Sequence, residues 1–238
     1  MRVFACATDP LRGVERLVGS AARHGVAIRL LGAGERWAHR GEKLRAALPA
    51  VAAVPPDELV LLVDGYDVLF FAGTEELEAR FACGDGRPVF NGERGFFCPA
   101  PWADEARRAF ADDAVPYPFL NSGVLLGRAS DVTALLHDAA AVVAEHRLTS
   151  DQAAFYRLAL DAPERVAVDR RGELFCCTGA MRFRGWWSRR PPGLRQDGAT
   201  LVDETTGGRP CLLHSPGRKD RYQERVYRAS LRASPGVG

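Results

Sequence analysis

Short apolar runs typical of strands alternate along the chain with longer stretches typical of helices. The predicted strands are Arg2–Thr8, Val26–Leu31, Glu58–Val63, Arg87–Asn91, Leu120–Gly127, Arg165–Val168, Glu173–Cys176, Thr200–Asp203 and Pro210–His214. The predicted helices are Leu11–His24, Glu42–Val54, Glu75–Phe81, Trp102–Ala111, Asp131–His146 and Asp151–Leu160. This alternation predicts an α/β layered fold with a mostly parallel central sheet flanked by helices.

No internal repeat and no linker divides the chain. We therefore expect one domain over residues 1–238, with a loop over Arg182–Asp197 and a fraying tail after Ser234. A hydrophobic share of 47% over 238 residues is enough for a sizeable core.

The balance of charges narrows the choice of partners. A net charge of +2 argues against nucleic-acid or membrane-surface binding through the overall field. No segment has the roughly 18 consecutive apolar residues of a membrane span, and the start of the chain lacks a secretory signal pattern. The six cysteines are scattered, with no Cys-x-x-Cys pair. These features favour a reduced, cytoplasmic protein.

The strongest chemical signal is a carboxylate turn directly after the apolar run Glu58–Val63. Asp64 and Asp67 lie three residues apart, and Gly65 between them permits a sharp turn. Two carboxylates this close repel each other unless a cation or a proton neutralises them. Mg²⁺ and Mn²⁺ are held by such carboxylates together with substrate phosphates. The alternative interpretation is an acidic turn that only ends the strand.

This turn is one of five short motifs that follow one another along the chain. They are Gly32-Ala33-Gly34-Glu35-Arg36-Trp37 with Glu42-Lys43-Leu44, Asp64-Gly65-Tyr66-Asp67, Leu120-Asn121-Ser122-Gly123, Asp151-Gln152-Ala153-Ala154-Phe155-Tyr156, and His214-Ser215-Pro216-Gly217-Arg218-Lys219. As a set they resemble the glycosyltransferase domain of the multifunctional procollagen lysyl hydroxylases. The resemblance implies a GT-A (Rossmann-like) fold, a UDP-sugar donor and Mn²⁺, with Mg²⁺ as an alternative ion.

The resemblance also assigns residues to the metal and the donor. It makes Asp64, Asp67 and His214 the metal ligands, although a histidine at a strand end is often only structural. The residues it places at the donor are Thr8, Trp37, Lys43, Tyr66, Asn121, Gly217, Arg218 and Lys219. Arg218 and Lys219 would neutralise the leaving diphosphate, unless they belong to a solvated basic loop.

Several of these assignments have competing explanations. Thr8 is equally well explained as a plain strand-end residue, and Trp37 as a packed aromatic rather than a wall for the uridine. Lys43 either reaches a phosphate or is an exposed helix lysine.

Two carboxylates are candidates for catalysis. Asp151 would face the reacting sugar or accept the proton of the acceptor, and Glu93 is a second candidate base. The rival explanation for Asp151 is helix capping, because Thr149 and Gln152 have the spacing of a capping box. The stretch Asn121-Ser122-Gly123 is expected to let the sugar approach the backbone closely, because glycine leaves room.

The acceptor is left open as a peptide hydroxylysine, another hydroxyl, a glycan or a small molecule. Two other function classes compete with a hexosyltransferase. A metal-dependent phosphohydrolase acting on a nucleotide diphosphate would also use Asp64 and Asp67. A non-catalytic module would bind carbohydrate or nucleic acid through the basic and aromatic loop Arg182–Arg190.

Overall fold

The computed structural model describes residues 1–9, 13–179, 193–197, 199–217 and 220–233. The strands are β1 (Arg2–Cys6), β2 (Ile28–Leu31), β3 (Leu59–Asp64), β4 (Val68–Phe70), β5 (Val89–Glu93), β6 (Phe119–Arg128), β7 (Ala167–Asp169), β8 (Phe175–Cys177), β9 (Leu194–Asp197), β10 (Thr200–Asp203) and β11 (Leu212–His214). The helices are α1 (Val14–Ala22), α2 (Lys43–Ala52), α3 (Thr74–Ala82), α4 (Ala103–Phe110), α5 (Ala129–Glu145), α6 (Asp151–Asp161) and α7 (Asp220–Arg232), with 3₁₀ turns at Arg40–Glu42 and Pro163–Arg165.

A six-stranded sheet with the order β2-β1-β3-β6-β5-β7 forms the centre of the described chain. Its pairs β1–β2, β1–β3 and β5–β7 are parallel, whereas β6 runs antiparallel to both of its neighbours. The predicted mostly parallel α/β fold is therefore confirmed, with β6 as the strand that breaks the pattern. The interior of β3 is buried, as its continuous apolar run predicts.

Hydrophobic clusters lie on both faces of this sheet. One packs the sheet against α2, α5 and α6, and includes Leu44, Leu136 and Phe155. The other includes Leu17 of α1 and Leu77 of α3. The strands are thus covered from both sides, which is the layered arrangement expected for parallel strands.

A smaller three-stranded sheet, with the order β4-β11-β8, lies beside the carboxylate turn. β11 pairs antiparallel with β4 and parallel with β8. The strand β4 is absent from the prediction because its three residues directly follow the turn. The sheet matters for function because it places β11 next to the turn at the end of β3.

Two further differences from the prediction lie late in the chain. Leu194–Asp197 forms β9, which pairs with β10, so the prediction of a loop is wrong for these residues. The helix α7 is not among the predicted elements. Among the described residues, no helix has the length and apolar character needed to cross a bilayer. Five of the cysteine thiols are buried, and Cys83 is exposed.

Candidate active site

The three predicted metal ligands come together at one end of the central sheet. His214 Nε2 lies 3.4 Å from Asp67 Oδ1 and 3.8 Å from Asp64 Oδ2. One ligand atom from each residue lies within 4.8 Å of the others. Residues about 150 positions apart in sequence thereby form one cluster.

Strand pairing explains how this cluster forms. Asp64 is the last residue of β3, and the backbone N–H of Gly65 donates to Cys6 O at 2.9 Å. A Cβ atom on Gly65 would lie only 2.6 Å from Ala7 Cβ, so the turn requires glycine. In the small sheet, His214 pairs with Val68, the residue after Asp67. The ladder β4–β11 therefore sets the histidine beside the turn.

The cluster fits a hard divalent cation. Asp67 Oδ1 and His214 Nε2 are buried and have no hydrogen-bond partner among the described residues, although they face each other. A Cβ atom on Gly123 would overlap the imidazole ring of His214, so this glycine makes room for the ring. Two carboxylates and one imidazole form a donor set suited to Mn²⁺ or a similar ion, which would give both orphaned atoms a partner.

The cluster also changes the acidity of its members. Burial lowers the pKa of His214, but Asp67 and Cys177 together raise it by more, so the pKa lies well above the ordinary histidine value. Burial raises the pKa of Asp64, but Lys43 and His214 lower it, and the net result is below the ordinary value. Asp64 is thus held in the ionised form that a cation requires.

Lys43 joins the metal cluster to the candidate catalytic carboxylate of Asp151. Its Nζ lies 3.0 Å from Asp64 Oδ1 and 2.8 Å from Asp151 Oδ2, and it donates to Ser122 O at 3.1 Å. Both Lys43 and Asp151 are buried. The interpretation of Lys43 as an exposed helix lysine is therefore wrong, because three acceptors surround its ammonium group.

The capping box proposed as the rival explanation for Asp151 does not form, although Asp151 does lie in the first turn of α6, where an acid is favoured. Ser150 is the N-cap residue of α6, and its side chain makes no capping hydrogen bond. Gln152, the expected partner in the capping box, instead accepts from Ser122 N at 3.2 Å and donates to Phe97 O at 2.8 Å. This amide connects β6 to the loop before α4, a role that the sequence pattern did not indicate.

Glu93 and Asn121 form a second buried polar pair at the same end of the sheet. Asn121 Nδ2 donates to Glu93 Oε2 at 2.7 Å, and Asn121 Oδ1 accepts from Gly123 N at 2.8 Å. A Cβ atom on Gly179 would overlap the Glu93 carboxylate. The amide of Asn121 therefore orients Glu93 and fixes the backbone at Gly123, which contacts His214.

Tyr66 organises the segment that follows β1. Its hydroxyl accepts from Thr8 N at 2.8 Å and from Asp9 N at 2.7 Å, and it lies 3.0 Å from Thr8 Oγ1. The structure thus brings two predicted donor-binding residues, Thr8 and Tyr66, into direct contact at the carboxyl end of a central strand. In open α/β folds, ligands bind beyond such strand ends.

Trp37 and Gly217 are two more residues that the resemblance places at the donor. Trp37 is half-buried, packs against the core and over Gly32, and donates from Nε1 to Glu35 Oε2 at 2.9 Å. Gly217 is exposed and has a φ of 89°, a left-handed conformation that favours glycine. Arg218, Lys219 and the loop Arg182–Arg190 lie outside the described residues.

Two residues around the imidazole were missed by the sequence interpretation. Asn91 Nδ2 lies 3.2 Å from His214 Nδ1, and Cys177 Sγ lies 3.8 Å from the same nitrogen. The pairing of β8 with β11 sets Cys177 opposite His214. No local motif marks either residue, since both contacts depend on the pairing of distant strands.

Comparison with known proteins identifies the family of the chain. Residues 1–183 match the family described as PLOD GT domain. The chain belongs to this family. A procollagen-lysine,2-oxoglutarate 5-dioxygenase of Drosophila melanogaster is 30% identical to this PLOD GT chain over 185 residues, which cover 71% of the chain and 23% of the relative. The chain thus spans less than a quarter of that relative's length.

Solved glycosyltransferases share the fold of the PLOD GT chain. A glycosyltransferase involved in glycosylation of the major capsid of PBCV-1 matches with a TM-score of 0.57 at 13% identity, covering 95% of this chain and 98% of that one. The galactosyltransferase LgtC, in complex with donor and acceptor sugar analogs, gives 0.54 at 14% identity, covering 99% and 97%. The predicted GT-A fold and the glycosyltransferase class are confirmed.

Proposed function

We propose that this PLOD GT chain transfers a hexose from a UDP-sugar, either UDP-glucose or UDP-galactose, to a hydroxyl group on a peptide side chain or a glycan. The reaction would depend on Mn²⁺, with Mg²⁺ as the alternative, and we propose the cytoplasm as its location. The observation that carries the proposal is the cluster of Asp64, Asp67 and His214, with orphaned polar atoms that face one another. A phosphohydrolase and a non-catalytic binding module fit the family membership less well.

The metal cluster has a direct use in sugar transfer. An ion bound by Asp64, Asp67 and His214 would neutralise charge on the diphosphate of the donor as the sugar leaves. Lys43 holds Asp64 from the other side and so fixes the direction of its carboxylate. Arg218 and Lys219 directly follow Gly217 in the sequence, and we propose them as further contacts to the diphosphate.

The nucleotide is proposed to bind where β1 ends. Tyr66 holds the backbone at Thr8 and Asp9 through its hydroxyl, and so shapes the surface that the nucleoside would meet. Trp37 has a half-buried ring and offers an apolar wall for the uracil. LgtC, which shares this fold, binds donor and acceptor sugar analogs, and this likeness supports a sugar donor for the present chain.

The reacting sugar is proposed to lie between two carboxylates. Asp151 is fixed by Lys43 at the start of α6, and Glu93 is fixed by Asn121 at the end of β5. Either carboxylate is chemically able to stabilise the sugar as positive charge develops or to accept the proton of the acceptor hydroxyl. Their rigid attachment preserves the geometry that such catalysis needs.

Release of UDP tests the proposed function without knowledge of the acceptor. A panel of UDP-sugars is incubated with the wild type, with Mn²⁺ or with EDTA, and UDP is measured. We expect turnover of one hexose donor in Mn²⁺, its loss in EDTA, and a decrease of at least about 100-fold in Asp67→Ala, which removes an electrostatic group from the site.

Asp57→Ala is the matched control for this experiment. Asp57 is an exposed aspartate just before β3, so it precedes the strand whose other end carries Asp64. This variant should retain the activity of the wild type. If no UDP-sugar is turned over and calorimetry detects no UDP-sugar binding, the proposed donor is wrong. Equal turnover in Asp67→Ala and the wild type would contradict the metal role of Asp67.

A further inference from the structure

The two nitrogens of the His214 ring face different surroundings. Nε2 points toward Asp67 and Asp64, and it has no hydrogen-bond partner among the described residues. Nδ1 points the other way, toward the buried amide of Asn91 at 3.2 Å. The ring is therefore held between the metal cluster on one side and Asn91 on the other.

A cation on Nε2 imposes a requirement on Nδ1. Metal binding uses the lone pair of Nε2, so the ring proton must then be on Nδ1, where it needs an acceptor. The Cys177 thiol lies 3.8 Å from Nδ1 and is a weak acceptor. The amide of Asn91 is closer and carries a strong acceptor, its Oδ1 oxygen.

The Asn91 amide has an oxygen available for this purpose. Its side chain is fully buried, and within the described part of the chain its Oδ1 has no hydrogen-bond partner. A half-turn about the Cβ–Cγ bond exchanges Nδ2 and Oδ1 within the same outline. After the exchange, Oδ1 would accept the Nδ1 proton of His214. Without the exchange, a proton on Nδ1 would face the Nδ2 donor instead of an acceptor.

An irregularity in the sheet aims Asn91 at the histidine. The register between β5 and β6 shifts between Phe90 and Asn91, so that Asn91 pairs with Asn121 while Phe90 pairs with Leu125. Such bulges next to functional sites redirect a side chain. The irregular stretch of β6 contains Gly123, which makes room for the His214 ring. The same distortion therefore positions the amide and accommodates the imidazole.

We propose that Asn91 is a positioning residue for the metal centre, whose amide oxygen accepts the Nδ1 proton of His214 and keeps Nε2 directed at the cation. The inference rests on the metal role of Asp64, Asp67 and His214 in the proposed function. Asn91 touches neither the cation nor the sugar in this arrangement, and its whole effect passes through the imidazole.

Mn²⁺ binding tests the inference directly. Free Mn²⁺ is measured by electron paramagnetic resonance while the ion is titrated into the wild type, Asn91→Ala and Asn91→Asp. Removal of the acceptor in Asn91→Ala should weaken Mn²⁺ binding by about 10–100-fold, the usual effect of losing such a partner. Asn91→Asp keeps an oxygen in the same place, so it should bind Mn²⁺ at least as tightly as the wild type.

A double-mutant cycle separates positioning from general damage. In a His214→Ala background, Asn91→Ala should produce no further loss of Mn²⁺ affinity, because the residue acts only through the ring. Wild-type affinity in Asn91→Ala, or an equal loss in Asn91→Asp, would overturn the inference. If Asn91→Ala does not fold, Asn91→Asp decides alone, and a tenfold loss there overturns the inference. Absence of Mn²⁺ binding by the wild type would instead refute the metal site and the inference with it.

Discussion

At the scale of single residues, Lys43 is the residue on which most of the site depends. Burial lowers the pKa of Lys43, but Asp151 and Asp64 raise it above the ordinary lysine value, so the ammonium remains charged. Its donors reach two carboxylates and the carbonyl oxygen of Ser122. One side chain therefore connects a proposed metal ligand, a proposed catalytic carboxylate and the backbone of β6.

Replacement of Lys43 by methionine should destabilise the protein. The change retains much of the side-chain volume. It leaves the buried Asp151 and the partly exposed Asp64 without the ammonium group of Lys43. Breaking a buried ion pair by removing one partner costs about 3–5 kcal/mol, and the partial exposure of Asp64 favours the lower end. Urea unfolding should show a free energy of unfolding lower by about 3 kcal/mol.

A second substitution provides the control for Lys43→Met. Asp151→Asn removes the charge that the methionine variant leaves unpaired, with little change in shape. The double variant Lys43→Met/Asp151→Asn should therefore recover at least half of the lost free energy of unfolding. Wild-type stability of Lys43→Met alone would show that the ammonium has no structural role at this site.

The sequence predicts the proposed metal-binding residues of this site better than the residues that hold them in place. Asp64 and Asp67 follow a buried strand, and this position alone points to a site at the sheet edge. His214 was identified only by resemblance to a family, since a histidine at a strand end has no distinctive local pattern. Asn91 and the buried state of Lys43 escaped prediction because both depend on which distant strands and helices pack together.

At the scale of elements, α7 supports the strand that carries His214. Tyr222 and Val226 on its inner face lie in one cluster with Leu213 of β11. The helix also contacts α1, where Arg23 Nη2 donates to Ser230 O at 2.7 Å. Arginine and other polar residues dominate its sequence, but Tyr222 and Val226 lie four residues apart, as on one face of a helix. The sequence therefore carries a helical pattern here that the predicted elements omit.

Val226→Ala should show how much this packing contributes. Val226 is 5% exposed, so the substitution removes two buried methyl groups and leaves a cavity. We expect the free energy of unfolding in urea to fall by about 2 kcal/mol with an unchanged m value. Arg228→Ala on the exposed face is the control and should change stability by no more than about 0.5 kcal/mol. Equal effects of the two variants would contradict this packing role for α7.

At the scale of the whole molecule, the alternation of strands and helices predicted the layered fold but not the way its six-stranded and three-stranded sheets meet. The antiparallel direction of β6 leaves no mark in an apolar pattern, because buried parallel and antiparallel strands have similar sequences. The small sheet depends on pairing between β4 and β11, which are separated by most of the chain. Contacts of this range are decided by the tertiary fold rather than by local sequence.

The candidate metal site lies between the six-stranded and the three-stranded sheet. Metal binding should therefore affect the stability of the whole fold. Asp64 ends β3 of the large sheet, His214 ends β11 of the small one, and Asp67 lies in the turn between β3 and β4. A cation that binds all three side chains holds the folded arrangement and has no comparable site in the unfolded chain. Its binding must therefore stabilise the native state.

Thermal unfolding with and without Mn²⁺ measures this linkage. At a free concentration 100 times the dissociation constant, Mn²⁺ should stabilise the wild type by about 2.7 kcal/mol. For a chain of this size, that corresponds to an increase in Tm of roughly 5–10 °C, which EDTA should abolish. Asp57→Ala should show the same increase, whereas Asp67→Ala should show little or none. An equal increase in both variants would mean that the ion stabilises the protein from another place, because Asp67 belongs to the metal cluster and Asp57 does not.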